Sequence, residues 1–154
     1  MKRSFFDFDG NSIEDVESYV DDFIRNASDD VEVYVGTDSQ VHSDFTRYVT
    51  VVVMHNDRLG GAHVVYHKND EHRNEKDIFN RLWQEVVATI EVANNLRLDS
   101  KATDIRTHFD INPSEEYESH VTYKAARGFA RNAGFPFQTK PDSWAASCAA
   151  DRLN

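Results

Sequence analysis

At 154 residues, with 40% hydrophobic and 12% aromatic content, the chain is long and apolar enough to bury the core of one domain, which excludes the disordered class. Its formal net charge of −10 argues against a general nucleic-acid binder, which carries a basic footprint. No apolar run approaches the roughly 20 residues that cross a bilayer, so no membrane partner is expected.

The N-terminus, MKRSFFDFDG, puts acid where a signal peptide carries its apolar stretch. Ser12 reads as a helix N-cap, with Asp15 completing a partial capping box. Ile13, Val16, Val20, Phe23 and Ile24 then fall at helical spacing, and the polar run 26–30 ends that helix. Residues 31–40, VEVYVGTDSQ, read as a strand closed by a turn built from Gly36, Thr37, Asp38, Ser39 and Gln40, which sets the Asp38 carboxylate at a strand end. Val31, Val33 and Val35 share one face of it; Glu32 and Tyr34 share the other. A second strand, RYVTVVVM (47–54), is rich in β-branched residues, HNDRLGG (55–61) is a turn signal, and a third strand spans 62–67. Short polar connections make the three an antiparallel meander.

A charged loop (68–74) leads into the longest helix, 75–97, striped by Phe79, Leu82, Trp83, Val86, Ile90 and Ala93. A strand over 105–111 carries HFDIN. Pro113 and Ser114 start a helix through about 131, with Val121, Ala125, Phe129 and Ala130 as packing positions and Gly134 as its stop. Residues 135–139 form a short strand, and Pro141 opens a last, Ala-rich helix. The lone Cys148 cannot close an internal disulfide, which fits a reducing cytoplasm, and its small neighbours suggest a packed thiol. The expected fold is α/β (α+β by some schemes): a mixed sheet of three antiparallel strands then αβαβα, in a single domain over 1–154, with 1–30 as an N-terminal helical extension.

Four carboxylates stand out by position. Asp38 follows the first strand, Asp110 ends the fourth, Glu85 lies at the edge of the long helix's stripe, and Asp151 sits in the last helix. Acids from adjacent strand ends and packed helices can meet and bind Mg²⁺ or Mn²⁺ through oxygen ligands. Paired ions of that kind hydrolyse phosphodiesters. Acids at strand ends and helix edges also simply face solvent, so on the residues alone both readings stand.

GTDSQ (36–40), Arg81 and Glu85 in RLWQE, HFDIN (108–112) and GFPFQTKPDSWAASCAADR (134–152) resemble, in order and spacing, the ribonuclease H-like YkuK family. The resemblance runs from about Val31 to the C-terminus. It implies a ribonuclease H-like fold with the first and fourth strands adjacent. It also implies that Asp38, Glu85, Asp110 and Asp151 occupy that superfamily's acidic positions, as catalytic residues and Mg²⁺ or Mn²⁺ ligands. The expected function is then a metal-dependent nuclease acting on DNA or RNA; the rival is a non-catalytic binding module on the same scaffold.

Charge is distributed unevenly. Residues 1–30 set Lys2, Arg3 and Arg25 against nine acids, whereas residues 120–154 set five basic residues against Asp142 and Asp151. Lys140, Arg127 and Arg131 are therefore the candidate nucleic-acid contacts, or an ordinary solvated surface. Glu75 and Asp142 are alternative ligands to Glu85 and Asp151, and otherwise helix-start acids. His108 shares a strand side with Asp110 and reads first as a packed histidine; His63 and His67 share a face but lack a third zinc ligand. Finally, FFDFDGNSI (5–13) mimics the Asp-x-Asp-Gly signature of haloacid-dehalogenase-like phosphatases, with Asp7 as nucleophile and Asp9 as acid–base. A β-turn at Asp9 and Gly10 explains the same letters.

Overall fold

A computed structural model describes residues 2–27, 31–56, 61–99, 102 and 104–154. Most of the expected 55–61 turn and the side chain of Cys148 lie outside the described residues. The N-terminus forms more than a helix. Strands β1 (Phe5–Asp7) and β2 (Ser12–Ile13) make a hairpin before helix α1 (Val16–Asn26). Ser12 is thus a strand residue, and the α1 cap is Asp15, whose side chain accepts from the Glu17 and Ser18 amides at 3.1 and 3.2 Å.

The meander follows as β3 (Glu32–Val41), β4 (Thr46–Asn56) and β5 (Gly61–Glu71), then helix α2 (Ile78–Asp99) and strand β6 (Ile105–Phe109). Helix α3 (Tyr123–Ala133) and strand β7 (Phe137–Gln138) precede a terminal π-helical segment (Ala145–Ala150) and a 3₁₀ turn (Asp151–Leu153). All seven strands form one mixed sheet in the order β2-β1-β5-β4-β3-β6-β7, parallel only at β3–β6 and β6–β7. The adjacency of β3 and β6 is the one the family resemblance implies. No helix among the described residues is long and apolar enough to cross a membrane.

Continuous hydrophobicity in β4 has a direct cause: the strand is covered on both faces. Val52 and Met54 join Val33, Val35 and Val65 beneath α2, against Val86, Ile90, Ala93 and Leu96. Val49, Val51 and Val53 face the other way, against Ala145 and Ala150 of the terminal segment. Gly36 of β3 permits that second layer. A Cβ there would lie 2.7 Å from the Ala146 nitrogen, so only glycine lets the backbones approach so closely.

Helix positions differ from the pattern in three places. Phe79 stays 41% exposed at the first turn of α2. In α3 the buried positions are Ala126 and Ala130; Val121 is exposed, and Phe129 instead lies edge-on to Trp83 at 5.4 Å. Its helical run also starts late, with a 3₁₀ turn at Glu118–Thr122, because the Asn112 side chain accepts from the Ser114 amide and holds a turn after Pro113. Pro141 likewise sits in a turn closed by Asp142 N–H to the Thr139 carbonyl, and the terminal helix begins after it.

Candidate functional site

The segment 36–40 does not turn. Every residue from Glu32 to Val41 pairs with β4, and Asp38 lies opposite Val49. The parallel ladder with β6, however, stops at Thr37 opposite Phe109. Asp38 is therefore the first β3 residue without a β6 neighbour, and Asp110 is the first residue past the end of β6. By strand alternation Asp38 shares a face with Gly36, and Asp110 with His108, its paired partner's neighbour on the terminal-segment side. The open edge places the two carboxylates beside one another.

Asp38 is only 8% exposed. Burial, then repulsion from Asp110 and Asp151, pushes its carboxyl up to about 7, although an amide hydrogen bond from Asn154 Nδ2 to Oδ2 at 3.1 Å opposes the shift. Glu85 enters from α2, is fully buried, and is raised well above the ordinary range by burial and by Asp38 and Asp110. The Ser39 hydroxyl donates to its Oε1. Asp110 is held by the Ser147 hydroxyl at 2.8 Å and the Lys140 ammonium at 3.2 Å, both on Oδ1. Asp151 is exposed on the final 3₁₀ turn and acts on Asp38 through its charge. Asp38 and Asp110 thus stand beside one another on the terminal-segment side, Glu85 lies within electrostatic reach of both from the α2 side, and Asp151 is at the rim.

The remaining candidates separate. Lys140 joins the site through Asp110; Arg127 and Arg131 are exposed on α3. Glu75 lies before α2 and is occupied locally, accepting from the Asp77 amide at 3.0 Å and facing Arg73 at 3.5 Å. Asp142 is exposed in the turn after Pro141. His108 is a packed histidine: its Nδ1 accepts from the Ala145 amide at 3.1 Å, its ring meets Tyr34 and Trp144, and burial lowers it to about 4. His63 bonds the Tyr19 hydroxyl between the Tyr19 and Phe23 rings, while His67 Nδ1 meets the Ser4 carbonyl, so both have structural partners. Asp7 caps its own hairpin turn. It accepts from the Asp9 amide, the Asn11 amide and the Asn11 side chain, and those bonds, the Asn11 side chain first, lower its pKa. Gly10 takes φ +84° there, which supports the turn explanation of Asp7 and Asp9.

Sequence reasoning missed the groups that orient the acids: Ser39, Ser147 and Asn154. Two lie inside the motif pieces that carry the resemblance, and Ser39 directly follows Asp38. Asn154 carries no such signal, because its contact with Asp38 spans 116 positions.

A hard divalent cation suits the chemistry of these donors: buried carboxylates that repel one another are costly without positive charge, and the side-chain oxygen of Asn154 is buried beside Asp38 with no partner. Among the described residues, no three His, Cys, Asp or Glu side chains are gathered into a ready ligand shell; each acid is turned instead toward a protein donor. The family model described as ribonuclease H-like matches residues 14–154. No curated protein and no solved structure matches the chain.

Proposed function

Because the chain belongs to the ribonuclease H-like family, we propose that it is a divalent-metal-dependent nuclease that hydrolyses phosphodiester bonds of DNA or RNA. The observation that carries this reading is that Asp38 and Asp110 stand side by side at the ends of β3 and β6, both within electrostatic reach of the buried Glu85 on α2; Asp38 is raised to about 7 by burial first and by Asp110 next. Fold alone does not specify chemistry, so the acids must supply it.

In this reading Asp38, Glu85 and Asp110, with Asp151 at the rim, hold Mg²⁺ or Mn²⁺. Such ions, when bound, supply an activated water and charge stabilisation at the phosphoryl oxygens. The protein's own contribution is orientation. Ser39 fixes the Glu85 carboxylate, Asn154 fixes Asp38, and Ser147 fixes Asp110. Lys140, 43% exposed at its side chain, stands at the mouth of the site, where a phosphate would draw its ammonium from Asp110.

One arrangement favours the second reading, a binding module without catalysis: Lys140 already neutralises Asp110, as a retired ligand site would allow. Cleavage of labelled DNA, RNA and hybrid oligonucleotides with Mn²⁺ separates the two. A nuclease loses cleavage in Asp38→Asn and Asp110→Asn while remaining folded. A binding module cleaves nothing, and its nucleic-acid binding survives both changes.

A further inference from the structure

Four arginines among the described residues are half-buried: Arg3, Arg47, Arg81 and Arg106. Three have carboxylate partners. Arg3 pairs with Glu91, Arg47 makes a two-pronged contact with Asp70 at 2.7 and 2.8 Å, and Arg106 faces Asp104 at 3.2 Å. Arg81 differs. Its single side-chain contact among the described residues is a long one, from Nη1 to the Ser39 hydroxyl oxygen at 3.5 Å, and its buried Nε has no partner.

The position of this arginine matters as much as its lack of a partner. Arg81 stands one helical turn before Glu85 on α2, so both side chains emerge from the same face. Ser39 links them, since its hydroxyl meets Arg81 and also donates to Glu85. The guanidinium is near enough to lower the Glu85 pKa, less than burial and Asp38 raise it, yet the two form no ion pair. A half-buried cation that forgoes an adjacent carboxylate leaves its donor fork unused, and an unsatisfied buried donor is unfavourable unless a ligand supplies the acceptor. The planar fork matches the oxygens of a phosphate, which a lysine ammonium contacts only as a point charge.

We propose that Arg81 is the phosphate-gripping residue of the site: its guanidinium binds a non-bridging oxygen of the nucleic-acid backbone seated against Asp38 and Glu85. This rests on the nuclease reading in one respect, that a nucleic acid occupies the carboxylate site. It also addresses the charge problem of an acidic protein that binds a polyanion, because a half-buried cation with unused donors stands beside Ser39 and Glu85.

The test is equilibrium binding of fluorescein-labelled single-stranded DNA, single-stranded RNA and an RNA–DNA hybrid, with Ca²⁺ as the cation, at several salt concentrations. The unaltered chain is compared with Arg81→Met, Arg81→Gln and Arg81→Lys, all checked for folding by thermal denaturation. Arg81→Met should weaken binding roughly ten-fold, and its log–log salt slope should fall by about 0.7–0.9, the loss of one phosphate contact. Arg81→Lys should keep the slope and recover part of the affinity. Arg81→Gln, which retains a donor to Ser39 without charge, should behave like Arg81→Met. A purely structural arginine would change the melting temperature and leave the slope alone, and that outcome overturns the proposal. If Arg81→Met matches the unaltered chain while Mn²⁺-dependent cleavage persists, Arg81 is not the grip and the nuclease reading stands. If the unaltered chain binds none of the three probes, both fall.

Discussion

Replacing Asp38 with asparagine should stabilise the metal-free protein at neutral pH while abolishing the proposed cleavage, since the buried carboxylate is held against its own preference. Burial, followed by Asp110, raises the Asp38 carboxyl from 3.8 to about 7 in the folded state. A folded pKa above the unfolded one means that the native state holds the proton more tightly. Its stabilising contribution is complete below about pH 4 and is lost as pH rises through 7. Roughly three pKa units at 1.36 kcal/mol each give about 4 kcal/mol of lost stability by pH 8. Asparagine never ionises, and its amide oxygen can still accept from Asn154. The stability difference between Asp38→Asn and the unaltered protein should therefore be near zero at pH 4 and reach about 2–4 kcal/mol at pH 8. Urea unfolding in EDTA across pH 4–8 measures it, and the difference cancels the titration of groups remote from Asp38, while relief of its repulsion on Glu85 and Asp110 adds in the same direction. Mn²⁺ at a hundred times its dissociation constant should then return about 2.7 kcal/mol to the unaltered chain and little to the variant. A variant no more stable at pH 8, or one equally stabilised by Mn²⁺, would refute the reasoning.

Three other outcomes follow from the same geometry. Gly36→Ala forces a methyl group to 2.7 Å from the Ala146 nitrogen, and the terminal segment should lift from β3 at a cost of about 1–3 kcal/mol; amide exchange over Ala145–Ala150 should accelerate, and unchanged protection would contradict the contact. His108, lowered from 6.5 to about 4 by burial, should stay neutral in NMR titration until about pH 4. Its contribution runs opposite to that of Asp38: it is present above pH 6.5 and lost as pH falls toward 4, so a ring that titrates near 6.5 would show that the Tyr34 and Trp144 packing is not retained in solution. Asp7→Ala should loosen the β1–β2 hairpin yet leave Mn²⁺-dependent cleavage intact; abolished cleavage would instead revive the phosphatase-like role for Asp7.

What the sequence conveyed about this molecule follows from the range of each interaction. Alternation in 31–35 and the two-sided run in 47–54 announce strands because burial acts on every residue locally. The hairpin at Phe5–Asp7 and Ser12–Ile13 was hidden: two short strands carry too few residues to show a period, and the pairing of β1 with β5 comes from Tyr66 and Val65, some sixty positions away. At 36–40, glycine and polar residues mimic a turn because each is there for a tertiary reason. Gly36 admits the terminal segment, Thr37 bonds Thr50 and Thr89, and Ser39 serves Glu85. Turn propensity is a local rule, and here close packing and buried hydrogen bonds override it.

That override also explains why the acids were legible as candidates while their arrangement was not. Each carboxylate lies at a position that a period or a motif can mark, but its orientation is set by a partner from another element: Ser39 for Glu85, Ser147 and Lys140 for Asp110, Asn154 for Asp38. Three of those four partners reach the site from the chain's last fifteen residues, and two of them, Ser147 and Asn154, lie on or beyond the segment whose approach Gly36 permits. The site's geometry therefore depends on one missing methyl group in β3. A substitution there should misplace Ser147 and Asn154 together, leaving Asp38 and Glu85 in their strand and helix but without the C-terminal half of their support.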